Sequence, residues 1–283
     1  MLKFIFFLPT ATIAWLAYEW FEHNAIQYKT TIIPFEKWKE QPDLKLCLIT
    51  DLHNNCKNIE KIAKKIRGFK PELILLAGDM VDKHKENNYY AEQFIIELSK
   101  IAPVYYAIGN HEETLMQEHH NSWKTYFHRV QEHVYFLNNE SCYASNNKNL
   151  VISGLSLPKE FYKKGSLYTK VEYLPKITIP KNHFHIMLAH NPEYAKLYAK
   201  YKADLILSGH LHGGLMRLPF IGGIVSPRLR FPGCDSGIVS LKNDRKLFIS
   251  RGLGSHTIPL RFFNRVEINF LVICGTKNKK ETR

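Results

Sequence analysis

The chain has 283 residues, 45% of them apolar and 13% aromatic, with a formal charge of +13. That is enough apolar material for one large core, or one core with a small accessory lobe, and it excludes a disordered chain. The basic balance favours anionic partners (phosphate compounds, anionic lipid surfaces or nucleic acid) without choosing among them.

Residues 1–21 come first. After Lys3 runs an uncharged stretch, Phe4–Tyr18, which Glu19 closes. A membrane span needs about 20 apolar residues, and this run is shorter. It predicts an uncleaved signal anchor, with a cleaved signal peptide or a buried first helix as alternatives. The positive charge before the run, and Glu19 and Glu22 after it, place the amino terminus inside and the following domain outside the cytoplasm; a domain on the cytoplasmic face is the alternative. Residues 22–43, punctuated by Pro34 and Pro42, read as a linker with an extended or edge segment.

A regular domain is expected over 44–273. Leu44–Thr50 reads as a buried strand. Asn58–Arg67 reads as an amphipathic helix, with Ile59, Ile62, Ala63 and Ile66 at i, i+3, i+4 and i+7. Strands follow at Leu73–Ala77 and Val104–Ile108, with a helix at Tyr90–Ile101 between them. Further strands are expected at Leu150–Ser153, His185–Ala189, Leu205–Ser208, Phe248–Ser250 and Val266–Ile273. This alternation predicts βαβ units and a layered α/β core. Residues 157–182, rich in Lys, Tyr and Pro, break the alternation and read as a loop or cap over a site, or as a surface insertion. Residues 274–283 form a solvated basic tail. The cysteines (Cys47, Cys56, Cys142, Cys234 and Cys274) are odd in number and form no CxxC pair, so no disulfide framework is indicated.

The chemistry lies where the apolar runs stop. Leu44–Thr50 runs into Asp51-Leu52-His53, Leu73–Ala77 into Gly78-Asp79, and Val104–Ile108 into Gly109-Asn110-His111-Glu112. His185–Ala189 runs into His190, and Leu205–Ser208 into Gly209-His210-Leu211-His212-Gly213-Gly214. Ligands of open α/β sheets bind beyond the carboxyl ends of strands, so these residues are expected to converge. Asp51, His53, Asp79, Asn110, His190, His210 and His212 offer mixed nitrogen and oxygen ligands, which suit Mn, Fe, Zn or Co rather than Ca. Seven ligands exceed one ordinary site. With one carboxylate shared they serve two divalent ions.

The set Asp51-x-His53, Gly78-Asp79-x-x-Asp82, Gly109-Asn110-His111-Glu112, His190 and Gly209-His210-x-His212 resembles the calcineurin-like metallophosphoesterases, over roughly residues 44–273. The resemblance implies a four-layer α/β sandwich of two mixed β-sheets flanked by helices. It implies Asp51, His53 and His212 on a first metal, and Asn110, His190 and His210 on a second. It further implies Asp79 bridging them and His111 standing near the leaving group without ligating. Arg217 and Arg251 are candidate substrate contacts, and Glu112 a candidate partner orienting His111. His212-Gly213-Gly214, Arg251-Gly252-Leu253-Gly254 and Pro259-Leu260-Arg261 resemble the membrane-anchored bacterial branch, related to UDP-2,3-diacylglucosamine pyrophosphatases. Leu215 and His256 depart from that branch and bear on substrate identity. The expected reaction is attack of a metal-bridging hydroxide on phosphorus, with Mn²⁺, Fe²⁺/Fe³⁺ or Zn²⁺ bound. The expected substrate is a phosphorylated small molecule or a lipid-linked compound at a membrane surface. A catalytically silent, metal-stabilised binding module and a nuclease are the alternatives. No basic stripe interleaved with aromatics tracks a strand, so nucleic acid is not expected.

Overall fold

The computed structural model describes residues 12, 15, 17–22, 24–56, 58–162, 174–214, 216–218, 222–225, 235–254, 261 and 263–276. Most of the Phe4–Tyr18 run lies outside them, as do Leu215, Cys234, His256, Pro259, Leu260, the centre of the 157–182 insertion and the lysine-rich tail from Lys277. Among the described residues no helix is long and apolar enough to cross a membrane.

Two six-stranded mixed sheets form the body. The first has the order β1 (Gln27–Phe35), β14 (Glu267–Gly275), β2 (Leu44–Ile49), β3 (Leu73–Ala77), β4 (Val104–Ala107) and β5 (Tyr135–Phe136). The second has the order β12 (Gly237–Ser240), β13 (Lys246–Ile249), β9 (Leu205–Ser208), β8 (Phe184–Ala189), β7 (Asn147–Leu155) and β6 (Glu140–Ala144). A ribbon of β10 (Met216–Leu218) and β11 (Gly222–Val225) stands apart. Strands β2, β3 and β4 run parallel, as do β7, β8 and β9. Short, nearly continuous apolar runs suit such strands because both their faces are covered.

The period-two alternation of β2 sorts its side chains between two cores. Leu46 and Leu48 point between the sheets, where they join Leu75, Tyr105, Ile152, Ile186, Leu188, Leu207 and Phe248. Cys47 and Ile49 point outwards to a helical layer made by α1 (Ile59–Phe69), α2 (Tyr89–Ser99), α3 (Asn110–Glu118) and α4 (His120–Val130), through residues such as Ile62, Ile66, Phe94, Leu98, Trp123 and Tyr126. On the far side of the second sheet, Met187, Ile206 and Ile249 pack against Phe161, Leu174, Tyr194, Tyr198 and Tyr201. Among the described residues that fourth layer is built of 3₁₀ turns, at Lys159–Tyr162, Pro192–Tyr194 and Leu197–Tyr201, rather than α-helices.

The extended or edge segment expected within residues 22–43 is present as a full strand, whereas helices α3 and α4 went unread in the sequence. Residues 27–35, within the segment expected as a linker, are an edge strand paired in parallel with β14 from Gln27↔Glu267 to Phe35↔Gly275. Pro34 is tolerated there because one side of an edge strand needs no ladder donor. Helices α3 and α4 bury few apolar residues (Leu115; Trp123, Tyr126 and Val130), too sparse a stripe to stand out.

Candidate metal centre

The parallel strands of both sheets end at one edge, and their trailing residues meet there. Asp51, His53 and His212 bring ligand atoms within 4.8 Å of one another, and so do Asp79, His190 and His210. The two groups adjoin. His190 Nε2 lies 3.1 Å from Asp79 Oδ2 and 3.7 Å from Asp51 Oδ1. His212 Nε2 lies 3.3 Å from Asp51 Oδ1 and 3.3 Å from His53 Nε2. His53 Nε2 is 4.0 Å from Asp79 Oδ2. Asn110 opens α3, with its Oδ1 buried.

Local backbone geometry aims these side chains. Asp51, His53, Asp79, His210 and His212 all have positive φ, between 50° and 68°. That region is sparsely populated by non-glycine residues, and Asp and His are among those that enter it. Five ligand-type residues held there is strain concentrated at one site. Close approach needs glycine twice: a Cβ on Gly209 would collide with Asp51 Oδ2, and one on Gly109 with Asp79 Oδ1.

Neighbouring groups fix each ring and carboxylate. The carbonyl of Ala77 lies 2.8 Å from His190 Nδ1 and can only accept, so the proton sits there and Nε2 offers its lone pair to the site. Asp51 accepts from the His210 amide at 3.0 Å, and Asp79 from the His111 amide at 2.9 Å. The Lys83 amide donates to His111 Nδ1 at 3.1 Å, which leaves the Nε2 position for that ring's proton.

The electrostatics describe a nest of negative charge. Burial pushes the Asp51 carboxyl up to about 6, with Asp79 adding to the rise and His190 opposing it. Burial works to raise Asp79 too, but His190, His111 and His53 outweigh it and hold that carboxyl well below its usual range. Burial disfavours the His190 imidazolium, yet Asp79 and Asp51 lift it to about 10. Protons held this firmly stand where cations would. Asn110 Oδ1 is buried without a hydrogen-bond partner, as a metal-ligating oxygen would be. The donor set and its orphaned atom therefore fit divalent transition ions.

A profile described as Calcineurin-like phosphoesterase matches residues 44–214, more than half of the chain. The chain belongs to this family. An uncharacterised metallophosphoesterase of Campylobacter jejuni is 29% identical over 252 residues, covering 84% of this chain and 60% of its own length. The present chain thus spans under two thirds of that relative. An uncharacterised metallophosphoesterase of Aquifex aeolicus is 26% identical, covering 93% of this chain and 97% of its own. The UDP-2,3-diacylglucosamine pyrophosphatase LpxG of Chlamydia muridarum is 23% identical, covering 82% and 84%.

Within this calcineurin-like site, other polar residues have defined places. Arg217 pairs with Asp235 at 2.7 Å and donates to the Gly213 carbonyl. Arg251 pairs with Glu267 at 2.7 Å. Both guanidinium groups thus brace the fold. Glu112 makes no contact with His111 through its carboxyl group. Fully buried, it accepts from the amides of Asp79 (2.9 Å), Met80 (2.6 Å), Val81 (3.3 Å) and Gly109 (2.8 Å) and from Tyr106 Oη (2.7 Å). Its position, three residues after the helix N-cap Gly109, is the readable sign: a Glu there reaches back to the N-cap amide. Tyr162, from the insertion, sets its ring edge-on to His210 with centroids 5.1 Å apart.

Proposed function

We propose that this metallophosphoesterase hydrolyses phosphate ester or pyrophosphate bonds at a centre of two divalent ions. Asp51, His53 and His212 would hold one ion, Asn110, His190 and His210 the other, with Asp79 between them. The observation that carries the reading is the adjacency of the two ligand groups around Asp79, with His190 Nε2 3.1 Å from its Oδ2. Ions so held lower the pKa of water towards neutrality and withdraw charge from phosphorus. The chain's residues do the rest. His111, its Nδ1 accepting from the Lys83 amide, turns an Nε2–H towards the site, where it can donate a hydrogen bond to charge developing on the substrate. Glu112 pins the Asp79–Val81 and Gly109 backbones, so the site does not rearrange during reaction.

We further propose an anionic, lipid-linked substrate met at a membrane interface. LpxG is named for a nucleotide-linked diacyl sugar, and the residue pattern near His212 resembles that branch. Exposed Trp15, Trp20, Phe21 and Phe263 support the same reading, since aromatic side chains favour the lipid headgroup zone.

The purified chain, assayed with added Mn²⁺ against p-nitrophenyl phosphate, bis-p-nitrophenyl phosphate, UDP-2,3-diacylglucosamine and supercoiled plasmid, tests the proposal. Turnover that needs metal and is lost in Asp79→Ala supports it. Two bound metals with no turnover of any substrate would leave a silent binding module. Plasmid cleavage alone would favour a nuclease.

A further inference from the structure

We propose that the helical segment around residues 18–22 is a working part of the first-metal pocket, with Glu19 and Glu22 as positioning residues for His212. The inference rests on the dimetal reading above and adds a device to it.

His212 has φ 50°, a conformation that surrounding contacts must enforce. Asn264 and Arg261 supply those contacts. Both donor hydrogens of the Asn264 amide are used at 2.7 Å, one on the His212 carbonyl and one on the Gly214 carbonyl. The Arg261 guanidinium is buried. It donates to the carbonyls of Asn264 (3.1 Å), Arg251 (3.0 Å) and Gly254, and reaches His212 Nδ1 at 3.3 Å. Between them, the two residues hold the backbone and the ring of one ligand.

Asn264 and Arg261 lie outside regular structure, so something must hold them. That support comes from about 240 residues earlier in the chain. The Glu22 carboxyl group accepts from the Asn264 backbone N–H at 2.6 Å, and the Glu22 carbonyl accepts from the Val266 backbone N–H at 3.3 Å. Glu19 accepts from the Arg261 amide at 3.1 Å. Tyr18 Oη accepts from the Phe263 amide at 2.8 Å, and the two rings meet edge-on at 5.9 Å. Arg265 Nε donates back to the Ala25 carbonyl at 2.9 Å, with its guanidinium over the Phe21 ring. Glu19 and Glu22 are 8% and 4% exposed, although they sit on a helical segment that carries exposed Trp20 and Phe21. Two buried carboxyl groups accepting from backbone amides fasten a loop firmly, because breaking either contact strands a buried donor. A chain of direct contacts thus runs from Glu19 and Glu22 through Arg261 and Asn264 to the candidate ligand His212, with Tyr18 on Phe263 beside it.

The test uses the full chain and Glu19→Ala/Glu22→Ala, stripped of metal and titrated with Mn²⁺ by calorimetry. Circular dichroism reads the fold, and electron paramagnetic resonance reads the coupled ion pair. The expected double variant is folded, binds one ion like wild type and the other at least ten-fold more weakly, and loses the coupled signal at ion levels that saturate wild type. Glu22→Gln, which keeps an acceptor oxygen, should recover most of the affinity. Should the double variant fail to fold, Tyr18→Phe and Glu22→Ala singly carry the test: selective weakening of one ion supports the proposal, and unchanged affinities overturn it. Wild type binding two ions, with a folded double variant binding both as tightly, overturns this proposal alone. Wild type binding none overturns the dimetal reading as well.

Discussion

Glu112 and Asp79 hold each other's surroundings in place. The Glu112 carboxyl group accepts the Asp79 amide at 2.9 Å, and the Asp79 carboxyl group accepts the amide of His111, Glu112's neighbour, at 2.9 Å. The loop after β3 and the start of α3 are thereby locked together. Glu112→Ala would strand four backbone amides and the Tyr106 hydroxyl in a buried place. Losses of about 1–3 kcal/mol per orphaned donor are typical, so a total of at least about 4 kcal/mol is expected. Urea unfolding measures it. A loss under about 1 kcal/mol would show that the amides find other partners.

His111 and Asp79 should separate catalysis from metal binding. His111→Ala is expected to keep both ions while turnover falls about 100-fold or more, the usual contribution of one preorganised hydrogen-bond donor. Asp79→Ala is expected to lose both ions. Elemental analysis beside the rate assay distinguishes them. Ion loss in the His111 variant would make that residue a ligand, since His53, Asp79 and His111 also bring ligand atoms within 4.8 Å of one another.

Gly209 should tolerate nothing larger. An alanine Cβ would run into Asp51 Oδ2 and crowd Thr50. Gly209→Ala is expected to lower stability by about 2 kcal/mol, as overpacking commonly does, and to weaken ion binding at least ten-fold. Wild-type affinity in this variant would mean that Asp51 has room to move.

His185 predicts an acid-labile step outside the metal site. It is buried beneath the second sheet's outer layer, with Nε2 2.7 Å from Ser153 Oγ. Burial, with help from the Lys37 charge, lowers its pKa from 6.5 to about 4. The folded ring stays neutral where the unfolded one takes up a proton. Its contribution is complete above pH 6.5 and is lost as pH falls towards 4. A shift of this size corresponds to about 3 kcal/mol. Denaturant melts of metal-free wild type and His185→Gln, from pH 7.5 to 4, should diverge in slope over that window. Parallel curves would contradict the assignment.

The candidate ligand set was legible because apolar strands stop abruptly at Asp51, Asp79, Asn110, His190 and His210, a pattern that depends only on local sequence. What held those residues was not. Glu112 acquires its role from amides 31–33 positions away, and Arg217 and Arg251 find Asp235 and Glu267 only after folding. The full extent of strand β1 was obscured because its partner β14 lies far along the chain and its own residues alternate only weakly, with Ile32 64% exposed. The contacts of Glu19 and Glu22 with residues 261 and 264 have no signal in local composition.

The parallel pairing of β1 with β14 carries a consequence for biosynthesis. Gln27 leaves the ribosome early and must wait for Glu267 before its ladder can form. Closing so long a loop is entropically unfavourable and slows the last folding step. During that interval the side of β14's place in the sheet stands open as an unpaired edge, a template for misassociation with other nascent chains. The sheet therefore closes last at an interior place, where β14 inserts between the first two strands made.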